Sequence, residues 1–356
     1  MSERDALKTC LSRIDGEAGT LHILSTPLAD IAQRYRYTTL AKALWQVYDL
    51  PVTDFDSAQQ EAFEALLPLR DRLHKHTAIS ALRLGLEYAQ PDSAAPITMT
   101  LMMALLLHLN PKAQLSHHED TTVLERFLRA LHEGSSDPVS TDLISAQSEA
   151  LSTYLMTVSD HGLNASTYTS RVISSTGSDL RACVQGALGA LQGPLHGGAP
   201  GPVLDMLDSL RGLSEAEIAE WVQEQLRQKI RIMGFGHRIY RVRDPRADVL
   251  KSALHHLQNQ GFNSARLQQA EVAEKVILKE LRQHKPERVL QTNVEYYTAL
   301  LLEGTGFPRS SFTAVFALGR VLGWCAHAAE QQAIGRLIRP KGTYFEQTLS
   351  FAGNKI

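Results

Sequence analysis

The chain of 356 residues carries a formal net charge of −2, with 44% hydrophobic and 21% charged residues, an ordinary globular composition with room for a large and a small domain. No broad basic field is available to hold a nucleic-acid backbone or an anionic membrane. Three widely separated cysteines, Cys10, Cys183 and Cys325, argue against a disulfide framework or a thiolate zinc site and point to a reducing, cytoplasmic setting.

The N-terminus mixes charges of both signs with no apolar stretch behind them, so no signal peptide is expected. One short strand pair near residues 14–24 is the only hairpin signal. Apolar residues at helical spacing then predict helices over 39–48, 57–73, 97–109, 122–133 and 141–159. Polar or proline-containing breaks separate them, among them Gln90-Pro91-Asp92-Ser93 and Gly134-Ser135-Ser136-Asp137-Pro138. The segment 97–109 is the most apolar, but it falls short of the roughly 20 residues that span a bilayer. It reads as a buried helix. Aromatic content of 6% and abundant Ala and Leu complete an all-α reading.

Three punctuated regions interrupt this background. A small-residue helix over 183–191 halts at Gly193-Pro194-Leu195-His196-Gly197-Gly198, where glycines free the backbone to approach a ligand. Gly234-Phe235-Gly236-His237 is followed by Asp244-Pro245-Arg246, in which an aspartate N-cap and a proline at the first helical position start a helix. Asn293-Val294-Glu295-Tyr296-Tyr297 leads into an apolar helix ending near Gly304-Thr305-Gly306.

Several chemistries are set aside. The chain has no Walker loop, no His-Glu-x-x-His and no Gly-x-Ser-x-Gly, and Gly234-Phe235-Gly236 lacks the third glycine of a dinucleotide fingerprint. His117-His118-Glu119-Asp120 reads as a solvated loop between helices rather than a metal site. Taken alone, His196 is equally a loop histidine satisfied by the backbone. His237, trailed by Arg238, Arg241, Arg243 and Arg246, marks either a phosphate or carboxylate site or a solvated cationic face.

The combination breaks the tie. Residues 188–199 (LGALQGPLHGGA), 233–247 (MGFGHRIYRVRDPRA) and 292–297 (TNVEYY) resemble, in order, the three catalytic segments of the citrate synthase family. Residues 160–167, 12–19, 323–331 and 335–340 extend the resemblance over nearly the whole chain. It implies a large helical domain (1–199 and 306–356), a smaller helical one (200–305) and a site in the cleft between them. It also implies a homodimer, with Gly186, Gly189, Gly319 and Gly323 suited to close helix contact.

The chemistry needs a base beside a thioester's methyl group, a donor for the resulting enol and a second donor for the acceptor ketone. By similarity Glu295 is the base, His196 the enol's partner and His237 the group polarising the oxaloacetate carbonyl. His161, Arg246 and Arg339 would bind oxaloacetate. Arg231, Met233, Gly234, Phe235 and Arg241 would hold acyl-CoA, with neither metal nor redox cofactor. Two features depart from the family pattern: Glu295 stands where aspartate is familiar, and no arginine follows Arg339-Pro340. The implied activity is citrate synthase; the alternatives are 2-methylcitrate synthase using propionyl-CoA, or a weakly active paralogue that binds CoA or a dicarboxylate.

Overall fold

The computed structural model describes residues 7–116, 120–135, 139–197, 200–260, 264–340, 342, 350–351 and 354–355. The candidate metal loop at His117, His118 and Glu119, together with Gly198 and most of the tail after Pro340, lies outside these residues.

The chain opens on a three-stranded antiparallel sheet, β1 (Ser12–Asp15), β2 (Thr20–Ile23) and β3 (Thr26–Pro27), pairing Ile14 with Leu21 and Ile23 with Thr26. Helices α1 (Leu28–Arg34), α2 (Tyr37–Gln46) and α3 (Phe55–Leu66) follow. The single helix expected over 57–73 is broken. Pro68 has no N–H to give, so the chain tightens into a 3-10 turn at Leu67–Leu69 before α4 (Arg70–Lys75). Beyond α5 (Ala78–Ala89), helix α6 (Ala94–Leu109) is buried almost all round, as an unbroken apolar run requires.

Helix α7 (Val123–His132) starts from a capping box in which Thr122 and Glu125 satisfy each other's backbone N–H groups. Side-chain caps from Ser140, Asn164 and Asp179 likewise start α8 (Thr141–Thr157), α9 (Ala165–Ser174) and α10 (Leu180–Leu191). Then come α11 (Pro200–Ser209), α12 (Glu215–Arg227), α13 (Pro245–Asn259), α14 (Ser264–His284) and α15 (Val294–Gly304). Within this group α12 lies on α14, and α15 on both α11 and α13, while α13 and α15 also reach back to α8. Buried Arg266 of α14 pairs with Asp208 of α11 and Glu303 of α15, closing the group electrostatically.

A 3-10 turn at Arg309–Ser311 leads into α16 (Phe312–Ile334). The stretch Arg309–Ile334 is long and apolar enough to cross a bilayer, yet it lies inside the protein against α2, α6, α8, α9 and α10. It is the core helix. Close approach explains its glycines: a Cβ at Gly319 would stand 2.7 Å from the Leu155 carbonyl oxygen, and one at Gly323 would stand 2.4 Å from that of Ser159. Gly186 similarly meets Ile173 of α9. These three therefore serve contacts within one chain, whereas Gly189, the fourth glycine suited to close helix packing, faces open space. A last antiparallel pair, β4 (Ser350–Phe351) and β5 (Asn354–Lys355), had no signal in the sequence.

Candidate active site

One wall of the cluster is built where α8 ends. Asp160 is fully buried; its Oδ1 accepts the backbone N–H of His161 at 2.8 Å, and both its oxygens face Nε2 of His327 at 3.1 and 3.2 Å. Burial alone would depress the His327 imidazolium, but Asp160, with Glu330 behind it, lifts its pKa to about 9. An ion pair of 2.6 Å between Arg171 and Glu330 carries the network into the core. His161 itself is held by the Tyr240 hydroxyl, 3.1 Å from Nε2.

At the start of α9, the Ser166 hydroxyl lies 2.8 Å from Nε2 of His196 and accepts from Trp324 Nε1 at 3.1 Å. Asn164 Oδ1, also 2.8 Å away, is a second acceptor for the single Ser166 proton. When that proton turns to His196 instead, the imidazole carries its own on Nδ1.

The other wall is the loop between α12 and α13. Gly234 and Gly236 have φ of +84° and +81°, and a Cβ at Gly234 would fall 2.8 Å from the Tyr296 ring, so glycine is required there. Their backbone is zipped to residues 291–293: Gly236 N–H donates to Gln291 O at 2.7 Å and Asn293 N–H to Gly234 O at 3.0 Å. His237 follows. Its Nδ1 accepts from the N–H groups of Ile239 and Tyr240 at 3.1 and 3.2 Å, which places the ring proton on Nε2. That Nε2 lies 3.3 Å from Nη2 of Arg246, so two donors face the same space.

Arg246 is buried and held through Nε and Nη2 by Asp244 at 3.0 and 2.8 Å. Asp244 also caps α13 and accepts from Val294 N–H at 3.1 Å, tying Arg246 to the first turn of α15, where Glu295 sits. The tip of the β1–β2 hairpin braces this loop, with Arg241 N–H donating to Gly16 O at 2.8 Å. Ser12 of the same hairpin accepts from Gly162 N–H at 3.0 Å, beside His161.

The electrostatics divide the labour. His161 and His237 meet ring to ring at 5.6 Å. Burial and the neighbouring arginines hold His161 well below the usual imidazole range, and bring His196 and His237 to about 4. All three are neutral donors near pH 7. Positive charge resides instead on Arg246 and on Arg320 of α16, which is buried, donates through Nε to Val158 O at 2.6 Å and lies over the Phe316 ring at 4.6 Å. Burial lowers Arg320 to about 10 and leaves it charged. Glu295 is the counterpart. Burial raises its carboxyl above the ordinary range, against the pull of Arg246, and its buried Oε2 has no hydrogen-bond partner among the described residues.

His161, His237 and Arg246 thus meet directly, with His196 and Glu295 in the electrostatic surround of Arg320 and Arg246 respectively. Gly234 and Phe235 are buried in the loop, Met233 is half-buried, and Arg231 and Arg241 are exposed. Arg339 is exposed beyond the end of α16, and among the described residues no hydrogen bond or ion pair joins it to the cluster. The buried guanidinium beside Arg246 is Arg320, which sequence reasoning passed over although a lone arginine inside a 23-residue apolar helix was a visible signal. Tyr240, Ser166 and Asp160 were also unassigned. Among the described residues no group of three His, Cys, Asp or Glu side chains converges to hold a metal.

The model of the citrate synthase C-terminal domain family matches residues 1–341. A putative citrate synthase 2 of Mycobacterium tuberculosis is 42% identical over 64% of this chain, and the match spans 57% of that relative's length. A citrate synthase of Deinococcus radiodurans is 31% identical over 94% of this chain and 92% of its own. The crystal structure of citrate synthase from Thermotoga maritima superposes with a TM-score of 0.77 at 29% identity, covering 97% of this chain and 94% of that one. The chain belongs to the citrate synthase family.

Proposed function

We propose that the protein condenses an acyl-CoA thioester with oxaloacetate, releasing CoA and a tricarboxylate. One observation carries this reading: the neutral imidazoles of His161 and His237 meet the buried Arg246 guanidinium, whose field reaches a carboxylate of raised pKa. Arg246 and Arg320 neutralise the acceptor's two carboxylates, while Nε2–H of His237 and Nη2 of Arg246 converge on its carbonyl oxygen. Glu295 removes the proton beside the thioester, and His196 donates to the enol oxygen as it forms. In this scheme the carbon–carbon bond forms between the enol carbon and the polarised ketone carbon, His237 supplies the proton to the new hydroxyl, and water cleaves the thioester. Acetyl-CoA is the proposed donor, and propionyl-CoA, longer by one methylene, is the alternative. The site would lie in the cleft between residues 200–305 and the rest of the chain.

The test is product analysis with oxaloacetate and each acyl-CoA in turn, following free thiol release. Citrate from acetyl-CoA is the expected product, and no CoA release with either donor overturns the reading. Glu295→Gln should lower kcat at least 1,000-fold while oxaloacetate binding by calorimetry stays within about threefold, because it removes the base and spares the acceptor's ligands. The same reading carries a homodimer with Gly189 at a small-residue contact; light scattering across a concentration series tests it.

A further inference from the structure

Tyr154, in the last turn of α8, poses a donor–acceptor problem. Its side chain is fully buried, and its hydroxyl has no hydrogen-bond partner among the described residues. A phenylalanine would fill the same space without stranding a hydroxyl, and stranded buried hydroxyls destabilise a fold. Its surroundings narrow the explanation. The chain turns from Tyr154 to Val158, whose carbonyl holds Arg320, while α13 and α15 lie across the same helix. The charged groups whose fields reach the hydroxyl are Arg320, Glu295 and Arg246. Arginine has donors only, so of these three Glu295 alone can accept a proton from a phenol. Glu295 is stranded in the complementary sense, its buried Oε2 lacking a donor.

We propose that Tyr154 is a positioning residue for Glu295, its hydroxyl donating to the carboxylate once substrate orders the cleft. The inference rests on the assignment of Glu295 as the base in the reading above. Burial holds the Tyr154 phenol far above its usual range, so it remains a protonated donor throughout the working pH range. A hydrogen bond to the charged form of Glu295 favours ionisation, opposing the burial that raises this carboxyl. It also fixes which oxygen faces the carbon acid, and misplacement on the ångström scale is costly to proton transfer.

Tyr154→Phe removes one oxygen and preserves the ring. Expected are a fall in kcat of about tenfold, an oxaloacetate KM within about twofold, and an acid limb of the kcat profile displaced to higher pH. In the Glu295→Gln background the same substitution should change kcat less than twofold. An unmoved kcat and acid limb in Tyr154→Phe, or an equal loss in both backgrounds, overturns the proposal. If the wild type turns over neither acyl-CoA, the functional reading has failed, and the pair is then judged by stability alone. Melting temperatures of the wild type, both single variants and the double variant, each saturated with citrate, are compared at pH 5 and 8. Coupling between the two substitutions that grows at pH 8 supports the pair; additivity at both values overturns it.

Discussion

Raising the pH should destabilise this protein through one buried histidine. His327 is fully buried between Asp160 and Glu330, with Arg171 and Tyr48 also bound to Glu330. Its pKa rises from 6.5 to about 9, Asp160 outweighing burial, so the folded state holds a proton that the unfolded chain releases earlier. The resulting stability is fully present below pH 6.5 and is lost as pH climbs through about 9. At 1.36 kcal/mol per unit the shift corresponds to about 3 kcal/mol. About 2 kcal/mol of it is lost between pH 6.5 and 8.5, which for a chain of this size is a fall in Tm of about 3 °C. The window stops at pH 8.5 because burial pushes Cys183 up to about 11 and Cys325 higher still, so the unfolded chain ionises these thiols first and they add a loss of their own at higher pH. The assay is thermal unfolding by circular dichroism at constant ionic strength, for the wild type and His327→Gln. The variant should melt lower at pH 6.5 and show a nearly flat profile from 6.5 to 8.5. An equally steep decline in His327→Gln would refute the reasoning.

Further tests probe the other supports. Asp244→Asn leaves Arg246 buried without its counter-charge, which should cost about 3–5 kcal/mol in urea unfolding and raise the oxaloacetate KM at least tenfold. Gly319→Ala forces a Cβ to within 2.6 Å of Val158 Cγ2 and 2.7 Å of Leu155 O, and should cost about 1–3 kcal/mol by the same measurement. As the proposed base Glu295 must be ionised to act, so with its pKa raised activity should fall as pH drops through that value; His196 and His237, at about 4, and His161, held well below its usual range, stay neutral across this limb. A bound dianion raises Glu295 further, so the acid limb of kcat should lie at higher pH than that of kcat/KM for oxaloacetate.

Much of the architecture was legible because it is local. Asp244 before Pro245 caps α13, Asn293 precedes α15, and apolar spacing located α6, α7 and α8. The break at Pro68 was equally local, but apolar periodicity continued across it and hid it. What sequence could not supply was the identity of contacts between distant segments. A small residue on a helix permits close approach whether the neighbour belongs to the same chain or another, so Gly319 and Gly323 gave no hint that they meet the end of α8. Arg320 illustrates the same limit. Its meaning depends on reaching Val158 O from α16, a partner 162 positions away.

The site can be reached by charge balance without reference to motifs. Asp160 at the end of α8 and Asp244 at the start of α13 play parallel parts: each is buried, each faces a buried cationic partner, and each fixes the peptide N–H of a neighbouring residue, His161 or Val294. Glu274 behind the loop is satisfied by Arg243, Thr292 and Tyr297. Glu295 differs from all three. It is drawn by Arg246 only at a distance, keeps an oxygen without a donor among the described residues, and is raised by burial. A carboxylate fully satisfied by hydrogen bonds is a poor base, because accepting a proton breaks bonds already made. Glu295, left unsatisfied among the described residues and within the field of the buried Arg246 guanidinium, is the group that we propose takes a proton from carbon.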